Sequence, residues 1–188
     1  MKEKIKLQIK NIFGKLLFEY ECEDNTIKKT VTEAIKNSAN LRYADLRSAD
    51  LHSADLHSAD LRYANLSSAD LSSADLHSAD LRSVNLSYAD LHSADLRYAD
   101  LRSVNLRSAD LSYVNLSYAK TDKRYIQISC IGSEKRMTTY CFENDKIWCG
   151  CFTGTLKDFE KQVQKTHKHN ENHLKEYIGF INYLKSLK

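Results

Sequence analysis

Several catalytic and membrane signatures are missing from this sequence of 188 residues. It has no glycine-rich phosphate loop, no Gly-x-Ser-x-Gly nucleophile motif and no His-Glu-x-x-His metal motif, so the families that these motifs mark are excluded. No run of eighteen apolar residues occurs, and the N-terminal residues lack the apolar core of a signal peptide. We therefore expect a soluble, cytoplasmic protein that is not an enzyme and does not enter a membrane.

Cysteine is also sparse, with five residues in no disulfide-like spacing. An odd number without such a pattern fits a reducing compartment in which thiols stay free. Weak candidate metal ligands lie near the C-terminus: Cys130, Cys141, Cys149 and Cys151. On one strand, Cys149 and Cys151 would point to the same side and reach a common metal or each other. Because their spacings differ from those of zinc sites and core packing explains them equally well, we expect no metal and no other cofactor.

Two alternatives stay open for this C-terminal segment. A cysteine-dependent enzyme would need the fold to bring a histidine close to Cys149 or Cys151. A zinc-binding module would add His167, His169 and His173 to the ligand set, although their polar surroundings predict a solvated loop.

A five-residue repeat dominates the middle of the chain. Sixteen consecutive units of the form [Asp/Asn]-Leu-x-x-[Ala/Val] run over residues 40–119, with leucine at every fifth position from Leu41 to Leu116. In an α-helix this period would rotate the leucine by about 140° per unit, and in an uninterrupted strand it would send alternate leucines into water. A chain that turns a corner once per unit keeps every leucine inside, so the repeat predicts a solenoid.

These units resemble the pentapeptide-repeat family, whose motif is Ala-[Asp/Asn]-Leu-x-x, over residues 39–119 without a broken unit. The resemblance implies about four coils of a right-handed quadrilateral β-helix, with four units in each coil. It does not imply a function, because the fold alone does not give one. Family members often pair end to end through a C-terminal element, so the resemblance also implies a candidate homodimer through the second C-terminal helix.

DNA mimicry is one function known in this family. Members linked to quinolone resistance imitate duplex DNA and bind DNA gyrase, which requires a strongly acidic surface. Residues 40–119 carry seven Lys/Arg against eleven Asp/Glu, while residues 1–39 carry eight against six and residues 120–188 thirteen against eight. The repeat is thus only mildly acidic, and a gyrase- or topoisomerase-binding DNA mimic stays an alternative.

Four units per coil would stack residues that are twenty apart, which gives one column an arginine in every coil. We call Arg42, Arg62, Arg82 and Arg102 the arginine column, and Tyr43 and Tyr63 follow its first two members. Stacked guanidinium groups repel one another unless carboxylates or a bound anion offset the charge. The column with its two tyrosines is therefore a candidate site for a small anionic ligand. The alternative is that the arginines pair with flanking aspartates such as Asp60 and Asp80 and bind nothing else.

Other surface columns carry weaker signals. A nucleic-acid binder would want a longer basic stripe with aromatic stacking, so a nucleic-acid partner is disfavoured. His57 and His77 fall in one column, and His52 and His92 in another, where solvated side chains explain them better than metal ligands.

The flanking segments predict three domains in a mainly β fold. Residues 1–38 predict a β-hairpin and helix that cap the solenoid, and residues 39–119 form the β-helix. Residues 120–188 predict a small α+β module, with strands over 125–131, 137–142 and 147–152 followed by two helices. We expect a non-enzymatic interaction protein, an inhibitor or adaptor of bacterial or phage type by resemblance. It would bind an unidentified protein partner or an anionic ligand through the solenoid faces and the C-terminal module.

Overall fold

The structure, a computed structural model, describes residues 3–131 and 136–188, without the side chains of residues 129–131 and 136. The chain divides into two compact units. The first comprises Met1–Asp110 and Val114–Asp122, and the second comprises Leu111–Tyr113 and Lys123–Lys188.

An antiparallel hairpin opens the first unit. Strands β1 (Lys4–Lys10) and β2 (Leu16–Glu23) pair from Lys4↔Glu23 to Lys10↔Leu16. The Asn11 side chain holds the turn, because its Oδ1 accepts the backbone N–H groups of Phe13 and Lys15 at 3.0 and 2.9 Å. Gly14 has a φ of 84° in this turn, a backbone conformation that glycine adopts without steric penalty.

Helix α1 (Ile27–Lys36) follows and packs on the hairpin with Val31 and Ala34 buried. The sequence predicts a helix cap at Asp24 or Asn25, but the cap is Thr26, whose side chain accepts the Lys29 N–H at 3.2 Å. Asn25 instead turns inward and donates to the backbone carbonyls of Ile5 and Tyr20. A buried amide needs such partners, so the inward position explains why Asn25 does not cap the helix.

The repeat forms a solenoid whose coil is twenty residues long. Parallel bridges join residues twenty apart, from Asp45↔Asn65 to Asp100↔Lys120. Leu46 N–H donates to the Asn65 carbonyl at 2.8 Å, and Asn65 N–H donates back to the Ala44 carbonyl at 2.9 Å. Every leucine of the repeat from Leu41 to Leu111 is buried, as the five-residue period predicts. Each buried leucine contributes about 1.5–3 kcal/mol relative to an exposed one, so this interior is the main source of stability.

A β-turn sits at each corner of the coil. The Leu51 carbonyl, for example, accepts the Ala54 N–H at 3.0 Å. The residue two positions after each leucine has a φ between 52° and 62° in all sixteen units, as the third position of a type II turn requires. The aspartate or asparagine before the leucine supports the turn by accepting the N–H two residues later, as Asp55 does from His57 at 3.2 Å. This bond explains why the position tolerates both residues.

Asparagine side chains add a second ladder along one column. Asn85 Nδ2 donates to Asn65 Oδ1 at 3.4 Å, and Asn105 Nδ2 donates to Asn85 Oδ1 at 3.1 Å. An amide both donates and accepts, so it can link successive coils where a carboxylate could not.

The second unit contains a sheet and two helices. Strands β3 (Tyr125–Ile131), β4 (Arg136–Cys141), β5 (Lys146–Cys149) and β6 (Phe152–Thr155) form an antiparallel sheet in the order β3-β4-β5-β6. Helices α2 (Leu156–His167) and α3 (Glu171–Ser186) complete the unit, with α2 packed on α3. The core includes Tyr140, Ile147, Phe159, Ile181 and Leu184.

The predicted three-stranded sheet is wrong in one respect. The sequence predicts a single strand over residues 147–152, whereas the structure has two strands that meet at a two-residue turn. Gly150 has a φ of 58°, and Cys149 pairs with Phe152 across the turn. Because glycine reaches this φ without a Cβ clash, Gly150 ends one strand and starts a hairpin. The sequence also predicts a turn over residues 132–135, between the first two strands of this sheet, and that turn lies outside the described residues.

Candidate functional site

The arginine column is lined by aspartates on the same surface. Arg62, Arg82 and Arg102 each bind the aspartate two residues earlier through two parallel hydrogen bonds. The Nε–Oδ1 distances are 2.7–2.9 Å and the Nη2–Oδ2 distances are 2.5–2.6 Å. Such forked pairs fix the plane of the guanidinium group as well as its charge.

Each aspartate also approaches the arginine of the preceding coil. Arg62 Nε lies 3.3 Å from Asp80 Oδ2, and Arg82 Nε lies 3.7 Å from Asp100 Oδ2. We call the alternating row of the arginine column and three aspartates the ion-pair ladder, which consists of Arg42, Asp60, Arg62, Asp80, Arg82, Asp100 and Arg102. Four guanidinium groups face three carboxylates, so the ladder keeps one positive charge in excess.

The ladder shifts the acid–base equilibria of its members. Hydrogen bonds from the arginine two residues later are the largest cause that lowers the pKa of its three aspartates, and burial opposes them. The same bonds raise the pKa of the arginines, chiefly that of Arg82. The three aspartates and their forked arginine partners are therefore charged at neutral pH.

Arg42 is the exception at the start of the ladder. Asn40 stands two residues before it, so the forked partner is missing, and the nearest carboxylate oxygen is Asp60 Oδ2 at 4.0 Å from Nε. Its Nε is buried and has no hydrogen-bond partner among the residues that the structure describes. The excess charge of the ladder thus resides at Arg42.

The structure bears on the two interpretations of the arginine column. Aspartates flank every arginine of the column at 2.5–4.0 Å. This is the arrangement expected if the arginines pair with aspartates and not with a bound anion. The column is not a row of bare cations that only an anion could neutralise. An anion bound here would accept hydrogen bonds from the guanidinium N–H groups that form none with the aspartates.

Aromatic side chains form stacks on the surface of the solenoid. Tyr43 and Tyr63 are stacked with ring centroids 4.8 Å apart and an angle of 10° between the planes. The Phe13 ring of the hairpin lies 6.1 Å from Tyr43 and is 77% exposed. The neighbouring column repeats the arrangement, with Tyr98 and Tyr118 at 4.9 Å.

Histidines extend the second stack. The rings of His57 and His77 lie 5.0 Å apart at 15°, and the His77 ring lies 5.3 Å from Tyr98. His52 is placed differently, because its Nδ1 contacts the Ser72 hydroxyl at 2.8 Å. These histidines are surface residues of the coils, as the sequence predicts for ladder positions.

The tyrosines of the repeat occupy the corner position with positive φ. Ten of the sixteen units have serine there and six have tyrosine, and φ is the same within 10° in both groups. The backbone therefore does not require an aromatic ring. Five of the six tyrosines are 37–76% exposed, so they contribute little to the interior: Tyr43, Tyr63, Tyr88, Tyr98 and Tyr118.

An open groove continues the line of the first stack. The corner positions that follow Tyr63 in its column are Ser83 and Ser103, whose small side chains leave a space of about 280 Å³. The lining alternates guanidinium groups with corner side chains: Arg62, Tyr63, Arg82, Ser83, Arg102 and Ser103. We call this space the serine groove.

The C-terminal cysteines are dispersed. Cys141 is buried and its Sγ donates to Glu143 Oε2 at 3.3 Å, while Cys149 is buried and its Sγ accepts from Thr138 Oγ1 at 3.0 Å. Cys151 is exposed in the turn after β5. The prediction that Cys149 and Cys151 share one face of a strand is therefore wrong, because the Gly150 turn separates them. The side chain of Cys130 lies outside the described residues.

The zinc-module alternative does not find its ligand geometry in the described residues, and the cysteine-dependent enzyme at Cys149 or Cys151 stays a prediction. Burial is the largest cause that raises the pKa of the neighbouring Cys141 thiol, which disfavours its thiolate. Within residues 3–131 and 136–188, no group of three or more His, Cys, Asp or Glu side chains is arranged to hold a metal ion. His167 ends α2 and His173 lies in α3, so the expected loop spans only residues 168–170.

Comparison with known proteins agrees with the repeat geometry. The family model described as Pentapeptide repeats matches eight copies in this chain, at residues 37–67, 49–87 and 89–120. A pentapeptide repeat protein of known structure from Nostoc PCC 7120 is 39% identical over 52% of this chain and 77% of that chain, with a TM-score of 0.32. The chain belongs to the pentapeptide-repeat family. Its family accounts for the β-helix-like fold of the repeat.

Other pentapeptide-repeat structures are similar to part of this chain. One, from the thylakoid lumen of Arabidopsis thaliana, is 31% identical over 43% of this chain and 59% of that chain, with a TM-score of 0.39. HetL from Nostoc sp. strain PCC 7120, a protein involved in heterocyst differentiation regulation, is 40% identical over 42% of this chain and 39% of that chain, with a TM-score of 0.26. This pentapeptide-repeat chain thus spans less than two thirds of the length of these two relatives. No curated protein matches it.

Residues 121–188 have no counterpart in the family match, which ends at residue 120. Among the residues that the structure describes, no helix combines the length and the apolar character needed to cross a bilayer.

Proposed function

We propose that this pentapeptide-repeat protein is a non-enzymatic interaction protein, an inhibitor or adaptor, that binds a partner through the exposed surface of its solenoid. The tyrosine stacks and the ion-pair ladder form the contact surface, and residues 120–188 form a second recognition module. One observation carries this proposal. Tyrosine occupies corner positions at which serine adopts the same backbone conformation, so the backbone does not require the rings, and most of them are exposed to a partner.

Exposed stacked tyrosines suit a binding surface on physical grounds. Tyrosine is enriched among the residues that dominate binding energy, since it presents a large amphipathic surface with few rotatable bonds. Stacking at 4.8 Å already restricts the rings of Tyr43 and Tyr63 before a partner arrives. The entropy lost on binding is correspondingly smaller.

The ladder adds specificity to the same surface. Its guanidinium planes are held by forked pairs, so their remaining N–H groups are fixed in direction. A partner with carboxylate or phosphate groups can bind them without reorganising long flexible side chains. A protein partner or a small anionic ligand both satisfy this requirement.

The family resemblance supplies the finer description of the fold and its setting. It favours about four coils of a right-handed quadrilateral β-helix over residues 39–119, with residues 1–38 as a cap and residues 120–188 as an added module. We retain a cytoplasmic location because unbridged thiols suit a reducing compartment. The resemblance also leads us to propose a homodimer that forms through α3.

The DNA-mimic alternative has less support. Asp50, Asp70 and Asp90 form an acidic column, but each accepts the backbone N–H two residues later and so serves the turn. The ion-pair ladder on another face carries an excess positive charge, which a mimic of the phosphate backbone would lack. A partner other than gyrase fits this distribution better.

The proposal is tested by affinity capture from a lysate of the source cells, with bound proteins identified by mass spectrometry. Wild-type protein is compared with a Tyr43→Ser/Tyr63→Ser variant and a Tyr98→Ser/Tyr118→Ser variant, each of which restores the commoner residue of the repeat. We expect a defined partner to be retained by the wild type and lost by at least one variant. Retention of every captured protein by both variants overturns the proposal.

A further inference from the structure

We infer that the serine groove binds a molecule that contains both a planar aromatic ring and a phosphate group. This inference rests on the proposed binding function and names the chemical class that the surface recognises. Such a ligand requires an aromatic surface for stacking and two hydrogen-bond donors to its phosphate within one groove. Tyr63 and the arginines beside its column provide both.

Tyr63 provides the stacking surface. One face of its ring is covered by Tyr43 at a centroid distance of 4.8 Å, and the other face borders the serine groove. The next corner position of the column is Ser83, so the stack contains two tyrosine rings and no third ring follows in the next coil. A ligand ring in the groove would take the place of that missing tyrosine, within the 4.5–7 Å range of aromatic contacts.

Arg82 and Arg102 provide the anion donors. Their Nε and Nη2 atoms bind Asp80 and Asp100, while Nη1 of each forms no hydrogen bond with any residue that the structure describes. Guanidinium N–H groups recognise phosphate oxygens in pairs. The forked ion pairs hold both groups in place, so binding requires little ordering of the side chains.

The order of these groups along the column defines the ligand. The stacking surface lies at Tyr63, and the donors line the groove at the following two coils, spaced by about 4.8 Å per coil. A ring and an anion in one molecule therefore match the groove better than either alone. Ser83 and Ser103 add hydroxyl groups beside the ring and the anion.

Charge and shape favour this ligand over a bare anion. The ladder has only one positive charge in excess, so inorganic phosphate gains little from electrostatic attraction alone. The ring adds stacking energy and removes water from the groove. A nucleoside monophosphate and a phosphotyrosine side chain share the required chemistry.

The test is a calorimetric titration of the full chain with AMP and, separately, with O-phosphotyrosine. Inorganic phosphate and adenosine serve as controls that carry only the anion or only the ring. We expect at least one of the two probes to bind ten times more tightly than both controls, and the stronger probe identifies the source of the ring. Failure of both probes to bind more tightly than the controls overturns the inference.

A variant pair locates the site. Ser83→Tyr supplies the third ring from the protein itself and should weaken the stronger probe at least tenfold. Ser73→Tyr makes the same change at an exposed corner with a φ of 57°, against 58° at Ser83, in a column without arginine, and should leave binding unchanged. Equal binding by Ser83→Tyr and wild type overturns the inference. If the probes fail while the Tyr43→Ser/Tyr63→Ser variant still loses its captured partner, the inference falls and the proposed function stands.

Discussion

Arg82 and Asp80 form a forked ion pair within one unit of the repeat, with Nε–Oδ1 and Nη2–Oδ2 distances of 2.8 and 2.6 Å. The two residues are only two positions apart, on either side of the buried Leu81. The corner of the coil turns both side chains outward on one face. Because the next coil repeats the geometry, local pairs join into a ladder along the solenoid.

Removal of one carboxylate from this ladder should lower stability measurably. Asp80→Asn keeps the oxygen that accepts the Arg82 backbone N–H but loses its charge, which serves both Arg82 and Arg62. We expect the free energy of unfolding to fall by about 0.5–1 kcal/mol, since partly exposed pairs are individually weak. Asp90→Asn is the matched control, because Asp90 accepts the His92 N–H and asparagine replaces aspartate in other units. Equal effects of the two changes in urea denaturation would contradict this prediction.

Acid should destabilise the repeat through the same carboxylates. Hydrogen bonds from arginine lower the pKa of Asp60, Asp80 and Asp100 in the folded state, so the folded protein binds fewer protons than the unfolded chain. Their contribution is complete above the unfolded pKa of about 3.9 and is lost as the pH falls through the lower folded values. Urea midpoints measured from neutral pH down to about pH 2.5 should decline in this window. The urea midpoint of an Asp80→Asn/Asp100→Asn variant should decline less steeply with falling pH than that of the wild type. Parallel curves for the two proteins would show that these aspartates do not cause the loss of stability in acid.

The positive φ at the corners should restrict which residues the repeat accepts. Ser73 has a φ of 57°, where a β-branched side chain is strongly disfavoured, so Ser73→Val should destabilise the solenoid by about 1–2 kcal/mol. Ser73→Gly removes the steric penalty but adds unfolded-state entropy of about 0.5–1 kcal/mol, so the two effects nearly cancel. Thermal or urea unfolding of both variants checks the contrast. A valine variant as stable as the glycine variant would show that the corner is not strained.

Thiol reactivity should distinguish the cysteines of the second unit. Cys151 is exposed, whereas Cys141 is buried with a pKa raised first by burial and then by its hydrogen bond to Glu143. Brief treatment with iodoacetamide at neutral pH should therefore modify Cys151 well before Cys141, because the thiolate is the reactive species. Peptide mass spectrometry gives the order of modification. Faster labelling of Cys141 would indicate that the sheet around it opens readily.

The leucine period made the solenoid predictable from sequence. Neither a helix nor a plain strand can bury a residue at every fifth position, so a cornered coil was the only solution that placed Leu41 to Leu111 inside. The stacking of residues twenty apart did not follow from this period, because it was implied by the resemblance to a family in which four units make one coil. The prediction of a cornered coil depended on the burial of leucine, which the spacing of apolar residues in a sequence displays directly.

Other features depended on backbone geometry that the residue types conceal. Serine and tyrosine at the corners give no sign of positive φ, since turns usually place glycine or asparagine there. Gly150 was read as part of a strand because its neighbours are apolar and aromatic, although its φ of 58° makes it a turn residue. The contacts of Cys141 and Cys149 depend on pairings between strands, which local sequence does not specify.

The uniform corner has an evolutionary consequence. Since serine and tyrosine adopt the same φ in all sixteen units, exchanging one for the other changes the surface without altering the path of the chain. The side chain at each corner can therefore change without a change in the backbone conformation of its neighbours. New binding specificities can therefore arise by single substitutions that leave the scaffold untouched.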